Sequence, residues 1–354
     1  MTIEKVIFDT AHQESPSHHT VPPLRRRVVA PRKRPQPSHP RRGLTIALTL
    51  VTDVLLASGL LCLFALSHHV LPQNYDTNVP VNPPSIDIPA ADGTLTEMEK
   101  NFEEHFVVEP VMTENSYYSK NVLMTVTKHT QGSGKNTITY YVADIRLRSI
   151  ESFRTAFADD TYGRGISDTV PNLSKKNNAL LAISGDYYGL HNSGPVIRNG
   201  VLYRSKRASS DVCVLYRDGT MKTFPGKSFD AEAEMENGAW QCWSFGPNLL
   251  NEDGTAATSF TSNLSIVNKH PRCAIGYYEP GHYAFVLVDG RDEGYSEGMT
   301  MKELAKLFET MGCRVAYNLD GGRTAMMMFD HDIVNQPYLG GREVSDIVYI
   351  GEVD

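Results

Sequence analysis

The hydrophobic pattern changes character twice along this chain. Residues 44–66 form a continuous apolar run, broken only by threonine, serine, one glycine and Asp53. That length suits a single bilayer-spanning helix. It is too long for a signal-peptide core, and no small-residue cleavage site follows it. The reading is a transmembrane anchor over residues 44–71. Asp53 lies inside it, where an acidic side chain is costly unless protonated, reached by water or set against a partner helix. Residues 71–92 then hold five prolines and no apolar period, which marks a linker. Residues 94–106 read as a short polar helix, a stalk or a cap. Residues 72–116 thus connect the anchor to a folded part, 117–354.

Beyond residue 117 the apolar period falls to two, as in strands with one buried face. Residues 122–129 and 137–146 flank a Gly-Ser-Gly turn at 132–134 and make a long hairpin. Residues 179–184 read as a buried strand behind a short helix across 168–176. Asn199-Gly200 joins strands 196–198 and 201–203, and Asp218-Gly219 joins 212–216 and 221–224. Both are strong two-residue hairpin signals. A four-residue turn at 279–282 joins strands 273–278 and 283–288. Thr300 and Glu303 make a capping box. Leu304, Leu307, Phe308 and Met311 follow at helical spacing, and Gly312 sits where a C-cap belongs. Residues 314–319 then read as a buried strand. About a dozen strands and a few helices place the chain in the α+β class, with mixed, strand-rich sheets preceded by the transmembrane helix.

Charge orients the anchor. Residues 1–43 carry nine basic and three acidic side chains, net +6, against −7 for the whole chain, so −13 falls to the rest. No basic residue follows the span before Lys100. The positive-inside rule then puts the N-terminus in the cytoplasm and the C-terminal domain outside, as a single-pass type II protein of the cell membrane. An acidic outer part argues against nucleic acid as partner. Topology and anionic lipid account for the basic arm. It is rich in proline, serine and histidine, lacks an apolar period and reads as disordered. Cys213, Cys242, Cys273 and Cys313 leave two readings open, buried free thiols or one or two disulfides. No pair has zinc or thiol-redox spacing. Asp330-His331-Asp332 reads as a hairpin tip rather than a metal site, and no metal or cofactor is expected.

Candidate chemistry gathers where apolar runs stop at aspartate and glycine. Tyr317-Asn318-Leu319-Asp320-Gly321-Gly322-Arg323-Thr324-Ala325 delivers a carboxylate at a strand end, on backbone that a ligand can approach closely. Asp289-Gly290-Arg291 repeats the pattern after strand 283–288, and His270-Pro271-Arg272-Cys273 precedes it. Upstream lie Ala182-Ile183-Ser184-Gly185-Asp186-Tyr187-Tyr188-Gly189 and Phe245-Gly246-Pro247-Asn248-Leu249-Leu250. In this order, with Val344-Ser345-Asp346 near the end, the segments resemble the phosphodiester glycosidase family over residues 117–354. That family includes an enzyme that removes N-acetylglucosamine from a mannose 6-phosphodiester, and bacterial exopolysaccharide-associated proteins.

The resemblance implies a hydrolase of sugar-1-phosphodiester linkages in phosphate-linked surface glycans. Such a bond already has a weakly basic leaving group, so protonating it matters less than in ordinary glycoside hydrolysis. The site needs a cation near the phosphate and a carboxylate near the anomeric carbon. Arg272 and Arg291 suit the first task, because a planar guanidinium pairs bidentately with phosphate. Asp320, Asp289 and Asp186 are the catalytic candidates. Ser184, Gly185, Gly321, Gly322, Arg323 and Thr324 are the further substrate-binding candidates. His191 offers a general acid or base near neutral pH, and Tyr187 and Tyr188 offer sugar-stacking faces.

Two positions depart from the family. Ser184-Gly185 stands where the family has Asn-Gly. Gly321-Gly322-Arg323-Thr324 stands where it has Gly-Gly-Gly-Ser, so Arg323 would be strained if positive φ is required there. These departures support one rival, a glycan-binding or polysaccharide-assembly protein without turnover. A second rival is a phosphodiesterase that cuts the P–O bond.

Overall fold

The computed structural model describes residues 41–69, 73–74, 95–103, 109–261 and 264–353. Most of the basic arm and of the proline-rich linker lies outside the described residues. Arg41–His69 is one helix of 29 residues. Within it Ile46–Leu66 is long and apolar enough to cross a membrane, by length and composition.

The folded part is the strand-rich α+β unit expected from the period-two pattern. Its main sheets have seven, five and five strands, and every strand pairing among the described residues is antiparallel, where mixed sheets were expected. Two of the hairpin turns behave as their sequences require, whereas Asp218-Gly219 closes as a three-residue loop with Arg217, Leu215 pairing with Met221 and only Gly219 left-handed at φ 84°. Asn199 and Gly200 adopt φ of 50° and 76°, and the Asp330-His331 hairpin tip adopts 46° and 68°. All are left-handed values suited to tight hairpins.

Period two sorts the side chains of the large sheet. Cys273, Ile275, Phe285, Leu287 and Tyr317 face a core shared with both smaller sheets. There Phe153 meets Tyr283, Phe285 and Trp243 at ring-centroid distances of 5.3, 5.5 and 5.9 Å. Ala274, Val286, Val288 and Ala316 face the other way, against Leu304, Ala305 and Phe308 of the helix Met301–Met311. That helix is closed as its sequence predicts. Thr300 and Glu303 form the capping box, and Gly312 ends it at φ 82°.

The short helix Glu97–Glu103, placed with the connecting segment 72–116 by its polarity, carries two buried residues, Met98 and Phe102. Met98 packs over the turns at Gly219 and Gly281, and Asn101 Nδ2 donates to Pro280 O at 2.8 Å. The core of the folded unit therefore reaches back to residue 98. Cys213, Cys242, Cys273 and Cys313 are all buried free thiols, which decides between the two cysteine readings.

Sheet register positions the site. In the seven-stranded sheet Arg272–Glu279 lies between His282–Val288 and Val315–Asn318. Arg272 pairs with Val288, and Ala274 with Asn318. The middle strand therefore starts where both neighbours finish. One sheet edge collects Arg272, the Asp289-Gly290-Arg291 corner and the Asp320-Gly321-Gly322 corner. In the adjoining five-stranded sheet Ile347 pairs with Ser184, so Asp186 and Asp346 leave that sheet side by side. Asp320 N donates to Gly185 O at 3.1 Å and ties the two edges together.

Candidate active site

Two hollows open at this junction and share Phe245 and Ile266 as a common wall. The larger, about 840 Å³, is lined by Asp186, Tyr187, Tyr188, His191, Ser193, Ser209, Ser210, Ser244 and Thr261 among others. Its lining is hydroxylic and aromatic, and Asp186 is its only formally charged carboxylate. The smaller, about 310 Å³, is lined by His270, Pro271, Arg272, Arg291, Asn318, Leu319, Asp320, Gly321 and Gly322. It gathers cations and glycine backbone around one carboxylate. Phe245 is held in place from behind, since Asn318 Nδ2 donates to Gly246 O at 2.9 Å and Asn318 N to Pro247 O at 3.1 Å.

Asp320 sits at the base of the smaller hollow with its side chain 12% exposed. Burial raises its pKa to about 7; Arg342 and the Thr324 hydroxyl oppose the rise, and the Asp186 and Asp346 charges add to it. The nearest cation is Arg342, with Nη2 3.6 Å from Oδ2. The glycines beside it are there for clearance. A Cβ on Gly321 would lie 2.7 Å from Pro271 O, and Gly322 has φ +65°.

Asp186 is bound on both oxygens. Oδ1 accepts from Tyr187 N, and Oδ2 from Ser244 N, each at 2.8 Å. Behind it lies a pair that sequence reasoning missed, Arg198 and Asp346, both fully buried. Arg198 Nε donates to Asp346 Oδ2 at 2.8 Å, while Nη2 stands 3.5 Å from Asp186 Oδ2. Asp346 Oδ1 accepts from Asp186 N at 2.7 Å. Burial lifts the Asp346 pKa to about 6 against the pull of Arg198. One guanidinium thus serves two carboxylates, and its removal would leave both without their cation. Gly185 makes the approach possible, because a Cβ there would lie 2.3 Å from Asp346 Oδ1. The traces in the sequence were faint. An arginine closes the apolar strand Val196–Arg198, and an aspartate opens the apolar strand Asp346–Ile350.

The other candidates divide. Arg272 lines the smaller hollow, with Nε donating to Met299 O at 2.8 Å and Nη2 to Ile266 O at 2.7 Å and to Asn268 O. Burial and the neighbouring Arg291 lower its pKa to about 10, so it stays charged at neutral pH. Arg291 is exposed, adopts φ 62°, contacts His270 Nδ1 at 3.1 Å and lies 5.3 Å over the Tyr338 ring. A left-handed arginine is strained backbone held by its surroundings.

Asp289 shares the sheet edge but lines neither hollow. Its oxygens accept from Asn335 Nδ2 at 2.7 Å, Tyr295 OH at 2.8 Å and Gln336 N at 3.0 Å. Burial raises its pKa and these donors oppose the rise. Ser184 turns its hydroxyl to Asp320 O at 3.0 Å, so it braces the strand end. Arg323 avoids positive φ altogether. It sits in a short turn, exposed, with Nε donating to Gly341 O at 2.7 Å. Thr324 Oγ1 donates to Gly321 O at 2.7 Å and shapes the glycine corner. Tyr187 and His191 line the larger hollow with ring centroids 5.0 Å apart. Tyr188 also lines it but is buried, stacked on Tyr162 at 5.4 Å. Among the described residues no cluster of three His, Cys, Asp or Glu side chains could hold a metal ion.

Residues 177–351 match the family described as phosphodiester glycosidase. The chain is 28% identical over 290 residues to an uncharacterized SPbeta prophage-derived protein, YomE, of Bacillus subtilis. That match covers 74% of this chain but 44% of the relative, so the chain spans less than half of that protein's length. Among solved structures, the fold is similar to the catalytic domain of zebrafish N-acetylglucosamine-1-phosphodiester alpha-N-acetylglucosaminidase, auto-inhibited by its pro-peptide. The TM-score is 0.54 at 19% identity, over 71% of this chain and 91% of that one. A hypothetical protein from Synechocystis aligns with TM-score 0.54 at 12% identity, over 69% of this chain and 64% of that one.

Proposed function

We propose that the protein, whose residues 177–351 match the phosphodiester glycosidase family, hydrolyses sugar-1-phosphodiester linkages in phosphate-linked surface glycans. The family and the fold support a glycosidase-like role. The observation that carries the reading further is the division of one cleft. A hydroxyl- and aromatic-lined compartment with one carboxylate suits a sugar, and a cationic one suits its phosphate.

In this reading the anomeric carbon sits at the Phe245 wall, between Asp186 and Asp320. Water attacks that carbon and Asp320 takes its proton. The C–O bond breaks and its electron pair leaves with the phosphate, which Arg272 and Arg291 stabilise. A carboxyl with a pKa of about 7 is well matched to proton transfer at neutral pH. Asp186 holds the developing positive charge on the sugar, and Arg198 and Asp346 fix its position. Asp289 acts as a positioning residue, through Asn335 and Gln336. The Ser184 and Arg323 departures fit into structural roles, which weakens the case for a binder without turnover.

The test is turnover of a glycosyl-1-phosphodiester by the full-length protein in ¹⁸O-labelled water. The label is expected in the released sugar. Label in the phosphate would make the protein a phosphodiesterase, and no turnover would make it a binder.

The same proposal includes topology. The apolar helix is a membrane anchor, residues 1–43 face the cytoplasm, and the domain lies outside, with its folded boundary near residue 95. Protease added to intact cells should remove the domain and spare the arm. A chain starting at residue 95 should melt cooperatively. One starting at 117 lacks Met98 over Gly219 and Gly281 and should melt lower by several degrees.

A further inference from the structure

Arg342 occupies a place that the two-compartment cleft leaves unexplained. Its guanidinium lies 3.6 Å from Asp320 Oδ2 and 5.8 Å over the ring of Tyr187. Asp320 lines the cationic compartment and Tyr187 the hydroxyl- and aromatic-lined one, so this side chain stands at the boundary between them. A separation of 3.6 Å exceeds the range of a well-made charged hydrogen bond, about 2.7–2.9 Å. The side chain is 45% exposed, and no other hydrogen bond or ion pair among the described residues holds it.

The backbone carrying Arg342 is fixed, in contrast. Gly341 O accepts from Arg323 Nε at 2.7 Å. Glu343 Oε2 accepts from Ser167 Oγ at 2.6 Å, and Val344 exchanges hydrogen bonds with Asp168 at 2.8 and 3.1 Å. A loosely paired cation on a fixed backbone can change partner by rotating its side chain alone.

We propose that Arg342 is a phosphate clamp that trades the Asp320 carboxylate for the substrate's phosphodiester, so that phosphate binding frees the carboxylate for proton transfer. This rests on the sugar-phosphodiester reading above. The exchange explains selectivity for charged substrates. A neutral glycoside leaves Arg342 on Asp320 and the carboxylate weakly basic. A phosphodiester draws the cation away and makes the ionised carboxylate a stronger base, while the fraction of Asp320 that takes up a proton at pH 7 stays idle until the pH rises.

Several charged or titratable groups face Asp320 and enter the balance. Asp186 and Asp346 come from the neighbouring sheet, with Arg198 behind them. Arg272, Cys273, His270 and Arg291 come from the seven-stranded sheet and its edge. Arg342 stands closest among the cations paired with it. Losing that cation raises the affinity of Asp320 for a proton. Binding a phosphodiester, which stays ionised through neutral pH, must then take up protons.

The experiment is calorimetry of dimethyl phosphate binding to the full-length protein at pH 7, in two buffers of different ionisation heat. The wild type is expected to bind with uptake of a fraction of a proton. Arg342→Gln should bind roughly ten- to hundredfold more weakly and lose the uptake. Arg342→Lys should recover part of both, and Asp320→Asn should bind without uptake. Uptake that survives in both Arg342→Gln and Asp320→Asn would belong to another group and overturn the proposal. So would unchanged affinity in Arg342→Gln, or no binding by the wild type. Linked uptake without any glycosyl transfer to water would leave the clamp standing and defeat the hydrolase reading. Turnover without linked uptake would do the reverse.

Discussion

Asp289 and Asp320 end two strands that flank the same central strand, and each is followed by glycine at the same sheet edge. Local sequence treats them alike, yet they meet different surroundings. Asp289 receives three donors, from Asn335, Tyr295 and Gln336, and lines neither of the two hollows. Asp320 faces the cationic hollow with one loose cation and a pKa raised to about 7. A fully satisfied buried carboxylate stabilises structure, whereas an under-satisfied one at an opening is available for chemistry. What separates the two roles is the supply of donors from residues 335–336, distant in sequence from Asp289.

The sharpest way to break this comparison is Asp320→Asn, which keeps shape and removes the charge. Turnover of a sugar-1-phosphodiester should fall by about two to four orders of magnitude, the scale for losing an acid/base or electrostatic group. Thermal stability should hold or rise, because a costly buried charge is gone. Near-normal turnover would refute the catalytic role. Unfolding would mean that Asp320 serves only the turn.

Asp289→Asn should give the opposite profile. An amide in that pocket turns its own N–H groups toward at least one of three donors. Stability should fall by about 1–3 kcal/mol, read from the denaturant midpoint. Turnover should fall far less than in Asp320→Asn, because the fault reaches the cleft only through the 335–336 loop. Equal losses of turnover in the two variants would erase the distinction drawn here.

A smaller effect lies in the pH dependence of stability. The folded state holds Asp320 protonated up to about pH 7, while the unfolded chain releases that proton near the ordinary carboxylate value of 3.8. Between these values the native state binds more protons, so this group's contribution to stability falls as pH rises through that window. Asp320→Asn removes the slope. Its stability advantage over wild type should be absent near pH 4 and reach its full size above pH 7. Melts across this range check it, and an advantage that does not grow with pH would place Asp320 in a wetter or better-paired site.

Much of this was legible beforehand, for local reasons. Hairpins at Asn199-Gly200 and Asp218-Gly219, the capped helix before Gly312 and the buried strand ahead of Asp320 follow from turn chemistry and periodicity. So did Arg272, Arg291 and Asp320 as neighbours, through motif order and its family resemblance. Arg198 and Arg342 were not legible in this way, and Asp346, though part of the Val344-Ser345-Asp346 motif, gave no sign of its partner. Arg198 is 148 residues from Asp346, and the contact that matters joins two different sheets. Met98 was hidden for the same reason. A polar-looking helix gave no sign that two distant glycine turns leave room for its one thioether.

By itself, then, the sequence determined the apolar span, the strand-rich class, the turns and the stock of charged residues, because each depends on neighbours a few positions away. Only the tertiary structure decided which aspartate is satisfied and which is exposed to a cleft. It also decided that one buried arginine serves two carboxylates, and that Arg342 stands between the compartments. Burial and donor supply set the behaviour of an ionisable group, and both come from chain segments that meet only when the sheets pack.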